Sequence, residues 1–241
     1  IKCFKYVFLI MLTTLLSSCA GQTNIIKSLN NVKNSVLKIE TWASLSGCDE
    51  TLATCPADQM LSTGTGSVVL HNRKKHVLTA AHICIQKTPM PGMNVKFYFK
   101  AIDQNSKKYI IKIINYDIEA DICLLESVSG DLEPAFIPLS RRSLEYGERV
   151  FNLAAPMGII EQGMVPIFEG RYFGLHEGNA FFGMPAIGGS SGSPIVNFRG
   201  ELVGMVHSVH YRFHHITLSA TYRRLWNFLN VEKVRIIQVQ N

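Results

Sequence analysis

The feature that most constrains this 241-residue chain is its series of short β-rich runs, each closed off by turn residues. Val36 to Trp42 alternates apolar and polar side chains, as does much of Lys108 to Tyr116. Gly66 to Leu70, His76 to Thr79, Asn94 to Lys100 and Ile122 to Glu126 are further runs of the same kind. A connector from about Ser127 to Tyr146 carries Gly130, Pro134, Pro138 and several charges. Beyond it the pattern resumes at Glu148 to Leu153, Val165 to Leu175, Asn179 to Phe182, Pro194 to Val196, Glu201 to His207 and Ile216 to Ser219. About six runs therefore lie on each side of the connector. Many short strands at regular spacing bury their apolar faces as sandwiches or barrels, and two small barrels with a cleft between them fit best. Helical spacing marks two other segments. Ile25, Ile26, Leu29 and Val32 share one face between Asn24 and about Ser35. Tyr222, Leu225, Trp226 and Leu229 share one in Thr221 to Leu229, with Ser219 as candidate N-cap.

Composition excludes some classes of function. With 47% apolar residues the chain can bury a core, as one large or two small domains. Its net charge of +6 is dispersed in short clusters, Arg73-Lys74-Lys75, Arg141-Arg142 and Arg223-Arg224. A nucleic-acid surface is denser and interleaved with aromatics, so no nucleic-acid partner is expected.

The N-terminus reads as an address. Lys2 and Lys5 precede an apolar run from Tyr6 to Leu16, then Ser17-Ser18-Cys19-Ala20. A basic head, short apolar middle and small residues make a secretory signal, and the run is too short to span a bilayer comfortably as a helix. Leu16-Ser17-Ser18-Cys19 resembles the lipobox of bacterial lipoproteins. The resemblance implies that residues 1–18 are removed and that Cys19 is acylated, giving an exported protein lipid-anchored at the cell envelope. Ala20, where inner-membrane lipoproteins tend to carry Asp, favours the periplasmic face of the outer membrane.

Export changes the meaning of the cysteines. Apart from Cys3 and Cys19, the chain has Cys48, Cys55, Cys84 and Cys123, an even set for an oxidising compartment. Cys48 and Cys55 flank the polar stretch Asp49 to Thr54 and are expected to bridge across it. Cys84 lies two residues beyond His82, and Cys123 two beyond Asp121. If His82 and Asp121 meet, these sulfurs are neighbours, either bridged or as buried thiols. No Cys-X-X-Cys or His/Cys spacing suggests zinc, and no cofactor is implied.

Three segments carry chemistry. Ile187-Gly188-Gly189-Ser190-Ser191-Gly192-Ser193-Pro194 is a tight loop in which positive φ is available and backbone N–H groups can converge. Acyl transfer needs such donors for a developing oxyanion, beside an unobstructed nucleophile. Leu78-Thr79-Ala80-Ala81-His82 brings a histidine out of a strand behind small residues. Asp117-Ile118-Glu119-Ala120-Asp121-Ile122 puts an aspartate at the mouth of an apolar strand, with Asp117 the competing acid.

In the order His, Asp, Ser these segments resemble the motifs of chymotrypsin-like serine proteases, closest to the HtrA/Deg branch. Thr79-Ala80-Ala81-His82 matches the histidine motif, and Asp121-Ile122-Cys123-Leu124-Leu125 is similar to the aspartate segment. Gly189-Ser190-Ser191-Gly192-Ser193-Pro194 is similar to the nucleophile loop, and Gly64-Thr65-Gly66-Ser67-Val68-Val69 to the strand before the histidine. Tyr146-Gly147-Glu148-Arg149-Val150 and then Pro156-Met157-Gly158 resemble the entry to the second barrel. The likeness runs from about Val36 to Leu229. It implies an all-β protease of two six-stranded antiparallel Greek-key barrels, at about 36–127 and 147–219, with the active site between them and a C-terminal helix at about 220–230. Residues 19–35 would form a linker and short helix. Ser191 is then the nucleophile, His82 the general base and acid, and Asp121 the residue that orients His82. The oxyanion hole comes from the Gly189 and Ser191 amides, and the substrate is a polypeptide. Pro185 would floor the specificity pocket, with His207 and Val209 on the strand that lines it. With no carboxylate at Pro185, a small or medium aliphatic preference is expected ahead of Arg/Lys or Glu.

Two departures bear on activation. Ser190 stands where many relatives have Asp or Asn, and no Ile-Val-Gly-Gly segment is present. Both imply activity without zymogen cleavage. No PDZ domain is expected after Asn241. The rival reading is an inactive two-barrel module that holds peptides. An esterase of the α/β-hydrolase type would need the chain order Ser, Asp, His.

Overall fold

The computed structural model describes residues 24–45, 58–85 and 95–231. The signal and lipidation segment with Cys19, and the Cys48/Cys55 pair, lie outside the described residues.

The first barrel comprises β1 (Val36–Leu45), β2 (Gln59–His71), β3 (Lys74–Thr79), β4 (Val95–Ile102), β5 (Lys108–Asp117) and β6 (Ile122–Ser127). The second comprises β7 (Arg149–Leu153), β8 (Ile167–His176), β9 (Asn179–Gly183), β10 (Pro194–Asn197), β11 (Leu202–His210) and β12 (Phe213–Ala220). Both barrels close in one topology: β1-β2-β3-β6-β5-β4 in the first and β7-β8-β9-β12-β11-β10 in the second. The expected pair of six-stranded barrels is thus present.

Alternation is clear in β5 and β9. In β5, Tyr109 and Ile111 point into the barrel while Lys108, Ile110 and Lys112 face out. β2 departs from the rule: it is buried at every position from Gly64 to Val69. One face fills the first barrel and the other meets the second, where Thr65 bonds to Ala155 and Gly189. The sequence reading placed its start seven residues late, at Gly66 rather than Gln59, because Gln59 to Thr63 are exposed or half-buried and do not alternate apolar with polar side chains, so no period of 2 marks them. The core is correspondingly continuous. Leu37, Ile39, Val77 and Leu124 of the first barrel share one apolar cluster with Phe151, Leu153, Leu202 and Met205 of the second.

Helix α1 (24–33) packs Val32, Leu29 and Ile25 on this core. The one-turn helix α2 (Ala81–Cys84) follows β3, and α3 (Tyr222–Asn230) closes the described chain on buried Leu225 and Leu229. The cap of α3 is Thr221, whose side chain accepts from the Arg224 amide at 3.3 Å. Ser219 is buried within β12, where its hydroxyl accepts from Met205 N and donates to Ala220 O. It therefore does not act as the cap. The connector is stitched across both barrels, with Ile137 N bonded to Val68 O and Leu202 N to Pro138 O.

Candidate active site

The buried alanines 80 and 81 let the chain turn sharply out of β3, so that α2 presents His82 at the surface, its side chain 46% exposed. Asp121 sits one residue before β6 with φ 52°, a left-handed conformation that Asp tolerates better than most residues. This conformation aims three acceptors at α2. Asp121 O accepts from Ala81 N at 3.1 Å, Oδ1 from His82 N at 2.8 Å, and Oδ2 meets His82 Nδ1 at 2.6 Å. A carboxylate only accepts, so Nδ1 carries the proton and a neutral ring keeps its lone pair on Nε2. Asp117, the competing acid, accepts from Ala120 N at 3.0 Å and braces the turn beneath Asp121. Cys84 and Cys123 form a disulfide between α2 and β6, the bridged alternative of the two expected for this pair.

The serine loop is built by its glycines. Ser190 N donates to Ile187 O at 2.9 Å, with Gly189 at φ 88° in the third position, as in a type II turn. A Cβ on Gly189 would lie 2.5 Å from Met157 N and 2.7 Å from Ala155 O, which only glycine avoids. Met157 N holds Gly188 O at 2.7 Å. Because the trans peptide points its N–H opposite its C=O, the Gly189 N–H faces away from Met157. Neither the Gly189 nor the Ser191 amide has a hydrogen-bond acceptor among the described residues.

The loop is locked to the first barrel beside His82. Thr65 N donates to Ser191 O at 2.8 Å, and Thr65 Oγ1 donates to Gly189 O at 2.7 Å. Gly192, at φ 84°, nests where a Cβ would lie 2.1 Å from Thr65 O and 2.2 Å from Thr79 Oγ1, three residues before His82. Ser190 is 1% exposed and its hydroxyl faces Ile187 N, whereas Ser191 is only half-buried. The Ser191 hydroxyl makes no hydrogen bond among the described residues, so no such bond joins it to His82.

Over residues 64–205 the sequence matches the trypsin-like peptidase domain. The chain belongs to the trypsin-like peptidase family. No curated protein matches it. Among solved structures, it is similar to Rv3671c from Mycobacterium tuberculosis. The inactive form of a serine-to-alanine variant superposes with TM-score 0.60 at 17% identity, covering 89% of this chain and 93% of that one. The active form superposes with TM-score 0.60 at 19% identity, covering 84% and 82%. A serine endoprotease from Yersinia pestis gives TM-score 0.63 at 15% identity, covering 84% of this chain and 64% of that one. These likenesses establish the two-barrel fold.

Within this trypsin-like peptidase, the three residues expected at the specificity pocket fall in different surroundings. Pro185 is half-buried between buried Met184 and Ala186. Val209 packs on the apolar cluster of the second barrel. His207 is bonded to Asn179 Oδ1 at 3.2 Å and Ser208 Oγ at 2.9 Å. Burial pushes its pKa down, the Asp121 charge pulls it up and His82 pushes it down again, so His207 lies within electrostatic reach of the His82/Asp121 pair. Among the described residues no cluster of three or more His, Cys, Asp or Glu side chains could hold a metal ion.

Sequence reading missed two residues that build the site. Thr65 stood in the quoted strand, but its threefold clamp on Ala155, Gly189 and Ser191 depends on the second barrel arriving opposite it. Met157 has φ 51° and orients Gly188 through its amide. The resemblance placed Pro156-Met157-Gly158 at the entry to the second barrel but gave no sign of that role.

Proposed function

We propose that this peptidase is a serine endopeptidase that hydrolyses exported polypeptides through an acyl-enzyme. The observation that carries the reading is the double hold of Asp121 on the His82 amide and ring, next to a serine loop whose Gly189 and Ser191 amides have no acceptor. His82 Nε2 takes the Ser191 proton as Oγ attacks the scissile carbonyl, then returns it to the leaving amine. Asp121 fixes the tautomer and stabilises the imidazolium without itself being protonated. The Gly189 and Ser191 amides receive the oxyanion, a contribution of about 10²–10³ in kcat per donor. The Ser191–His82 hydrogen bond forms when substrate is bound, as catalytic contacts often tighten only in the complex. Pro185 and the β11 segment from His207 to Val209 line the pocket for the residue preceding the cleaved bond. Lys2, Lys5, the apolar run and Cys19 support export and lipid anchoring at the envelope, where Cys48 and Cys55 would oxidise.

The test is labelling with a fluorophosphonate, which requires an activated nucleophile. Wild type and Ser190→Ala should label, and Ser191→Ala should not. Undiminished labelling of Ser191→Ala places the nucleophile elsewhere. A folded wild type that never labels is the peptide-holding module instead.

A further inference from the structure

The connector, the outer end of the second barrel and α3 enclose a groove of about 770 Å³, and neither His82 nor Ser191 lines it. Its wall is largely apolar, with Tyr172, Leu175 and Trp226 beside the polar Ser143, Thr221 and Asn227. Phe182 and Val203 belong to the buried core of the second barrel and form the apolar floor of the groove. Leu175 and Trp226, at the mouth, are 64% and 41% exposed.

Charge distinguishes this groove from an ordinary packing defect. Arg141 and Arg223 line it, and neither makes an ion pair or hydrogen bond among the described residues. Arg142, Arg149, Arg199 and Arg224, by contrast, pair with Glu148, Glu169, Glu201 and Glu119. Glu201, the carboxylate that feels the Arg141 charge, is already bonded to Asn197 and Arg199. Two unpaired guanidiniums therefore flank a largely apolar groove, each with a planar fork of donors suited to a carboxylate.

We infer that this groove is a binding site for a fatty acid, with its alkyl chain along the apolar floor and its carboxylate between Arg141 and Arg223. The volume lies within the range of small-molecule sites, about 300–1,000 Å³. A peptide fits less well. The second barrel is closed, so its wall has no free strand edge to pair with a peptide backbone. The site is separate from the catalytic constellation and does not depend on its chemistry.

Dodecanoate is the probe. In a Trp42→Phe background Trp226 reports occupancy by fluorescence, with calorimetry giving the stoichiometry below the micelle concentration. One dodecanoate should bind per chain and saturate, in wild type and in Ser191→Ala alike. Arg141→Gln with Arg223→Gln should weaken binding at least about tenfold, as should replacing dodecanoate by dodecanol. Both arginines are exposed, so a thermal melt unchanged from wild type verifies the fold of the variant. The assignment is overturned by absent or unsaturable binding, or by dodecanol binding as tightly as dodecanoate. It is equally overturned by an unchanged affinity in the double variant, or by an apolar peptide with a free carboxyl terminus outcompeting dodecanoate.

Discussion

Replacing both bridged cysteines, Cys84→Ala with Cys123→Ala, separates the stability of the His82/Asp121 corner from the chemistry proposed for it. The disulfide spans a sequence separation of 39 residues and joins α2 to β6. Loop-closure entropy for about 39 residues is worth roughly 4 kcal/mol at 25 °C, arising in the unfolded chain. For a protein of this size that corresponds to a fall in Tm of about 8–16 °C. Both cysteines are at most 3% exposed, so small cavities add to the loss. The geometry of His82 and Asp121 does not depend on the bridge alone. Three hydrogen bonds that Asp121 accepts from residues 81 and 82 remain, at 3.1, 2.8 and 2.6 Å. Peptidase activity at 25 °C should therefore stay within about threefold of wild type, because an intact hydrogen-bonded pair preserves the base. Urea titration followed by circular dichroism gives the first quantity, and cleavage of a peptide substrate by the folded variant gives the second. A stability loss under about 1 kcal/mol would show that the cross-link is not acting through chain entropy. A hundredfold fall in activity with the fold intact would show that the disulfide, rather than Asp121, sets the position of His82.

Asp121→Asn should lower kcat by about 10⁴, the size of effect seen when the imidazole is held in the wrong tautomer. Asp117→Asn should change it by no more than about threefold, because the amide oxygen can still accept from Ala120 N; equal losses at the two positions would refute the assignment of roles. Burial lowers the folded pKa of both His76 and His207. Below about 6.5 the unfolded chain therefore takes up protons that the folded one refuses, and stability is lost as pH falls from 7 towards 5. Melts across this window should show Tm declining, with His76→Gln and His207→Gln each flattening the slope; a Tm rising towards pH 5 contradicts the sign.

Much of this molecule is legible along the chain because its constraints are local. Alternation in β5 and the turn residues between runs mark strands wherever one face is wet and the other dry. Gly189 and Gly192, on either side of Ser191, are demanded by positive-φ backbone and close contacts whose need shows in the residue type itself. The bridged cysteines could be paired only conditionally, since their adjacency follows from that of His82 and Asp121.

Tertiary structure decided what depends on the second barrel or on competition between equivalent residues. Asp117 and Asp121 have the same chemistry, and only a left-handed backbone at Asp121 turns one of them onto His82 while the other braces the turn. Ser219 and Thr221 are both capping residues, and β12 buries the first. The extent of β2 was hidden because Gln59 to Thr63 carry no alternation, and the clamp at Thr65 because its partners Ala155 and Gly189 arrive only with the second barrel. Local conformational preference is encoded residue by residue. Which side chains meet across the seam is fixed only when two closed sheets pack together.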